Sequence, residues 1–200
     1  VETCPHYLAL ASEDIDKNIT LYKCCPPIRG EQNRDALWQG LRDGVINFIV
    51  SDHSPCTANL KLIDSDDIDS AWGGIAALQF GLPIVWTEAS NRGFELKDIS
   101  HLMSEATAKF VGLEGRKGKI KVGHDADLIV FDEACEYYIS EAEIYHKNKF
   151  SPYVGKKVRG KVTRTYLRGT CIFANDNFLG SPLGETILRN QKKKPIIGKS

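Results

Sequence analysis

Two short clusters hold side chains suited by kind and separation to hydrolytic chemistry. The first is Glu2-Thr3-Cys4-Pro5-His6-Tyr7-Leu8, in which an extended run is closed by a proline and a histidine comes at once after it. The second is Ser51-Asp52-His53-Ser54-Pro55-Cys56, directly after the apolar run Val45 to Val50. An imidazole nitrogen and a carboxylate are both metal ligands and both proton carriers, so His6 and Asp52 are the candidates for a metal or acid–base site. Polar residues at the C-terminal end of a buried parallel strand also stand where barrel enzymes keep their active sites.

Each candidate has a plainer reading. A histidine after proline is commonly a loop residue or a hydrogen-bonded core residue, and Asp52 before Ser-Pro could cap a helix starting at Ser54. His53 sits beside Asp52, so on extended backbone its side chain points to the opposite side, and it is given no direct role. His101, His124 and His146 read as surface residues. Cys4 and Cys56 read as packing or pocket lining. Trp72-Gly73-Gly74 marks a tight turn or a close approach of backbone.

The segments around these clusters have an α/β rhythm. Arg34 to Arg42 carries Leu37 and Leu41 four apart and stops at Gly44, which predicts a short helix. Val45 to Val50 then predicts a strand buried on both faces. A second helix is expected from Asp98, as N-cap, to Gly112, with Ile99, Leu102, Met103, Ala106 and Phe110 on one face. Beyond Gly115 the texture alternates: Lys119 to Val122, a turn at Gly123-His124-Asp125, Leu128 to Phe131, and Val158 to Phe173 broken at Gly169. The expected organisation is therefore a barrel-like α/β part over 1–115, a small β domain over 116–190, and a flexible tail over 191–200.

Composition narrows the class. The apolar share of 42% allows a substantial core and excludes a disordered tail. Lys plus Arg (26) balances Asp plus Glu (26), so no net field draws the chain to nucleic acid or an anionic membrane. The expected partner is a small molecule or another protein. The six cysteines form no C-x-x-C pair and are expected to be reduced thiols of an intracellular protein. No apolar stretch approaches a membrane span and no signal peptide opens the chain. Gly198-Lys199-Ser200 is not a peroxisomal signal, so cytosol is the default, with peroxisome and mitochondrion left open.

Five stretches, in order along the chain, resemble the cyclic amidohydrolases, the group that holds allantoinases, hydantoinases, dihydropyrimidinases and dihydroorotases. They are Glu2 to Leu8, Lys23-Cys24-Cys25-Pro26-Pro27-Ile28-Arg29, Ser51 to Cys56, Ala71-Trp72-Gly73-Gly74-Ile75, and Gly123-His124-Asp125-Ala126-Asp127-Leu128. The resemblance implies a (β/α)8 barrel with a small β-sandwich and a binuclear zinc site at the barrel mouth, bridged by hydroxide and a carbamylated lysine. By motif match His6 is a ligand of the second metal, and Asp52 a ligand of the first and the general base. Cys25 and Gly73 match backbone positions that hold the ring amides of the substrate.

Dihydroorotases commonly place histidine where Cys56 stands, and a neutral cysteine cannot hold a substrate carboxylate by a charge-assisted bond. Ser-Asp-His-Ser-Pro-Cys with Ala-Trp-Gly-Gly-Ile is similar to the allantoinase branch, which implies allantoin as substrate and a homo-oligomer, a tetramer, as the assembled form. Nothing in the 200 residues resembles the family's His-x-His, its carbamylated lysine or its other later histidine. The chain is therefore expected to be the C-terminal portion of such an enzyme, with those ligands upstream, inactive alone and poor at folding alone because an incomplete barrel exposes strand edges. Three further readings stay open: a hydantoinase or dihydropyrimidinase, a non-catalytic scaffold relative, and a truncated product acting through assembly with full-length subunits.

Overall fold

The computed structural model describes residues 1–15 and 17–188; the tail expected over 191–200 lies outside the described residues. Strand β1 (Glu2–Thr3) runs parallel to β2 (Phe48–Ile49), with Glu2 opposite Phe48 and Thr3 opposite Ile49. Between them lie helix α1 (Pro5–Ala9), two short 3-10 turns, and helix α2 (Glu31–Arg42). Two parallel strands joined through helices are the βαβ connection of an α/β fold.

The expected strand Val45–Val50 is shorter than its apolar run. Only Phe48 and Ile49 pair with β1, and Val45 is 66% exposed. Ile46 is buried, but its N–H goes to Gly40 O at the end of α2, so this stretch belongs to the turn.

Downstream, helix α3 (Ala58–Lys61) is one turn long, and α4 (Gly81–Asn91) is the central buried helix. Ile84 of α4 packs with Leu10, Cys24, Ile28, Ile75 and Tyr153, while its Val85, Trp86 and Ala89 pack with Leu8, Trp38, Leu41 and Ile49. One helix thus closes both halves of the core.

The predicted helix after residue 95 is present but differently built. It runs as α5 (Leu96–Ser100), a π turn (His101–Glu105) and α6 (Ala106–Phe110). Glu95 is the N-cap, and Asp98 stands at N3, accepting the Glu95 N–H at 2.8 Å. Asp98 thus completes a capping box rather than starting the helix. The extra residue in the π turn rotates the last turns about the helix axis, so Ile99 and Leu102 are buried while Phe110 is 69% exposed.

The remaining strands form one antiparallel sheet in the order β3 (Leu128–Tyr138), β4 (Lys157–Leu167), β5 (Thr170–Ala174) and β6 (Asn177–Phe178). Among the described residues Lys119 to Val122 pairs with no strand and does not join the sheet; Ile120 and Val122 are exposed. The sheet is also not set apart from the α/β part. Ile139, Ile144, Tyr153 and Val158 belong to the same core cluster as Leu10 and Ile84. At Gly160, where φ is +96°, the β4 backbone passes against Trp86 of α4 and Phe131 of β3. The Trp86 indole N–H donates to Glu133 O and the Arg159 N–H to Thr87 Oγ1. No helix among the described residues is long and apolar enough to cross a membrane.

Candidate active site

The parallel pairing of β1 and β2 decides which side chains meet. Parallel strands end on the same side, so the residues after Thr3 and after Ile49 emerge together. The ladder continues one step through the Val50 N–H to Thr3 O at 2.9 Å. Pro5 then stands at the first position of α1, where its missing N–H leaves nothing unpaired. That places His6 in the first turn, 0% exposed.

Opposite it, Asp52 leaves β2 with φ at +43°, a left-handed conformation that Asp tolerates better than most residues. No helix starts at Ser54, so Asp52 is not a cap; the next helix begins at Ala58. The result is a contact of 3.2 Å between His6 Nε2 and Asp52 Oδ2, with the histidine enclosed and the carboxylate 56% exposed. Cys4 Sγ lies 3.0 Å from the same nitrogen.

Burial lowers the pKa of His6 against the opposing pull of Asp52. Burial likewise raises the thiol pKa values of Cys4, Cys24 and Cys56, which favours their neutral form in the absence of a metal. Cys56 is buried between Asp52 and α3.

These residues suit a divalent metal. His6 Nε2 faces the Asp52 carboxylate and the Cys4 thiol together, and His6 Nδ1 is buried with no partner among the described residues. His6 Nε2, Asp52 Oδ2 and Cys4 Sγ cluster closely enough to hold a metal ion between them or beside them. An imidazole and an outward-facing carboxylate are the donors that zinc accepts.

The substrate positions named from sequence fall beside each other. A Cβ built on Gly73 would lie 3.4 Å from Cys25 Sγ, so the two loops touch where both are exposed. Their spacing is held by the Gly74 N–H donating to Lys23 O at 2.9 Å. Gly74 itself has no room for a side chain: its Cβ would lie 2.7 Å from Ser54 Cβ and 3.0 Å from Ser54 O. The loop after Asp52 and the glycine pair are thus pressed together.

Two contributors were not visible in the sequence. His53, given no direct role, accepts the N–H groups of Ala77 and Leu78 on its Nδ1 at 3.0 and 3.1 Å. It therefore ties the Asp52 loop to the turn before α4. His146, expected at the surface, is half-buried, with its ring 5.5 Å from that of His53. Lys61 is the other, a lysine that the sequence reading does not single out and that is 2% exposed. Neither has a periodicity that marks it, because both act through backbone groups distant in sequence.

Residues 7–172 match the Amidohydrolase family. Over 192 residues the chain is 46% identical to an allantoinase of Saccharomyces cerevisiae, covering 96% of this chain and 41% of that protein. It is also 46% identical to an allantoinase of Streptomyces avermitilis, covering 94% of this chain and 41% of that one. Among solved structures it is similar to an L-hydantoinase (dihydropyrimidinase) of Arthrobacter aurescens at a TM-score of 0.85 and 29% identity, covering 90% of this chain and 40% of the other. The chain thus spans about two fifths of the length of these relatives. With a hydantoinase-like arrangement of elements around His6 and Asp52, and a family match over most of its length, the chain belongs to the amidohydrolase family.

Proposed function

We propose that this chain carries part of the active site of an allantoinase, a zinc-dependent hydrolase that opens the hydantoin ring of allantoin to allantoate in purine breakdown. The observation that carries the reading is the convergence of His6 and Asp52 where β1 and β2 end side by side. The similarity to allantoinases narrows the substrate within the cyclic amides.

On this reading Asp52 binds the first of two zinc ions and is the general base, and His6 binds the second. The carbamylated lysine and the remaining histidines belong to the part of the relatives that this chain does not span. When bound, such a metal pair acidifies the attacking water and polarises the ring carbonyl. Asp52 takes the proton from that water and delivers it to the ring nitrogen as the C–N bond breaks, while the water oxygen stays on the carbonyl carbon. A carboxylate with one oxygen toward His6 and 56% exposure has its other oxygen available for this transfer. Backbone groups at Cys25 and Gly73 hold the ring amides, and the neutral Cys56 lines the pocket. We extend the proposal to a homotetrameric enzyme on the resemblance alone, with the cytosol as its default compartment and peroxisome and mitochondrion left open.

Hydrolysis of allantoin by the full-length protein loaded with zinc, beside Asp52→Ala, tests the reading. Activity that disappears in the variant supports it. A folded full-length protein that neither binds zinc nor opens any cyclic amide overturns it in favour of a scaffold. The likeness to the hydantoinase structure supports a second reading, and preference for hydantoin or dihydrouracil over allantoin would select it.

A further inference from the structure

Lys61 is the one lysine among the described residues with its whole side chain inside the fold. Its ammonium donates to three backbone carbonyls: Lys23 O at 2.9 Å, Trp72 O at 3.0 Å and Gly74 O at 2.5 Å. All three protons are used. Burying an ammonium is unfavourable unless it is fully hydrogen-bonded, and here the partners are peptide dipoles converging from two loops. Burial lowers its pKa.

The two loops are the ones that flank Cys25 and Gly73. In a trans peptide the C=O and the following N–H point in opposite directions. Trp72 O aims at Lys61, so the N–H of Gly73 aims away from Lys61, and Gly73 itself is exposed beside the exposed Cys25. The neighbouring Gly74 N–H is engaged by Lys23 O, itself held by Lys61.

We propose that Lys61 is a positioning residue for substrate, a clamp that fixes the Trp72–Gly73 peptide plane so that the Gly73 N–H is presented as a donor to a ring carbonyl. This rests on the cyclic-amide reading of the site. Lys61 does not touch substrate; it acts through the peptide planes it holds. A carboxylate partner would satisfy one point of the ammonium, whereas three carbonyls orient three peptides at once.

Full-length zinc-loaded protein is compared as wild type, Lys61→Met and Lys61→Gln, with kcat and KM for allantoin, zinc content and amide exchange of residues 23–25 and 72–75. The clamp predicts a KM raised at least about tenfold in Lys61→Met with kcat and zinc content little changed, the signature of lost ground-state binding. Lys61→Gln, which keeps two N–H donors, recovers part of the loss. Exchange quickens at 72–75 and not in α2. An unchanged KM in a folded Lys61→Met, or quickened exchange throughout the protein, overturns it. Where neither variant folds, wild-type exchange decides: saturating hydantoin protects the Gly73 amide if the clamp is right, and leaves it unprotected if it is wrong. Failure of wild type to hydrolyse allantoin sinks the substrate reading instead, and the exchange of 72–75 in the variants then judges the clamp by itself.

Discussion

His6 Nε2 and Asp52 Oδ2, 46 residues apart in the chain, stand 3.2 Å from each other because β1 and β2 run parallel. The contact joins an enclosed imidazole to an exposed carboxylate, which suits a metal that is held from within and reached from outside. His6→Ala in the full-length protein is expected to lower bound zinc by about one equivalent per chain, measured by elemental analysis after dialysis. Full zinc content with lost activity would reassign His6 to steering Asp52 by a hydrogen bond.

Asp52→Asn keeps shape and removes the proton acceptor. Removing a general base typically lowers rate by about 10²–10⁴-fold, and kcat for allantoin should fall by at least that much with the fold intact by circular dichroism. An active Asn variant would remove Asp52 from the proton path.

Gly160→Ala probes the seam between α4 and the sheet. An added Cβ would lie 2.7 Å from Trp86 Cδ1 and still closer to Phe131, on backbone at φ +96°. Positive-φ strain and overpacking together are expected to cost about 2–4 kcal/mol. The midpoint of thermal unfolding should drop accordingly, while an unchanged midpoint would mean that the sheet is not seated on α4.

Cys25 is exposed, whereas Cys4, Cys24 and Cys56 are buried. A thiol reagent should label Cys25 ahead of those three, as read by peptide mass spectrometry, and the adduct should block allantoin hydrolysis because it projects beside Gly73. Allantoin should slow the labelling, and Cys25→Ala should remove the sensitivity. Inhibition that persists in Cys25→Ala would place the sensitive thiol elsewhere.

Much of this was legible along the chain because it depends on local pattern. Pro5 before His6, the β-branched run before Asp52, and the glycines at 73, 74 and 169 mark a strand end, a helix start and turns through short-range sterics alone. The α2 helix was visible from Leu37 and Leu41, and β4 from its alternation. Where local pattern misled, a long-range partner or a shift of register was the cause. Lys119 to Val122 alternates but pairs with no strand among the described residues, and Phe110 leaves the apolar face through a π turn that periodicity does not encode.

The order of residues was enough to set the chemistry on offer: an imidazole and a carboxylate each placed after a strand, flanked by neutral thiols and glycines. That the two meet is a matter of tertiary pairing, since nothing in either segment specifies the parallel register of β1 with β2, whose Ile49 packs with α1, α2 and α4. The same holds for Lys61 and His53. A buried ammonium among three carbonyls, and an imidazole nitrogen accepting two amides, are bonds to backbone, and every residue type carries the same backbone groups.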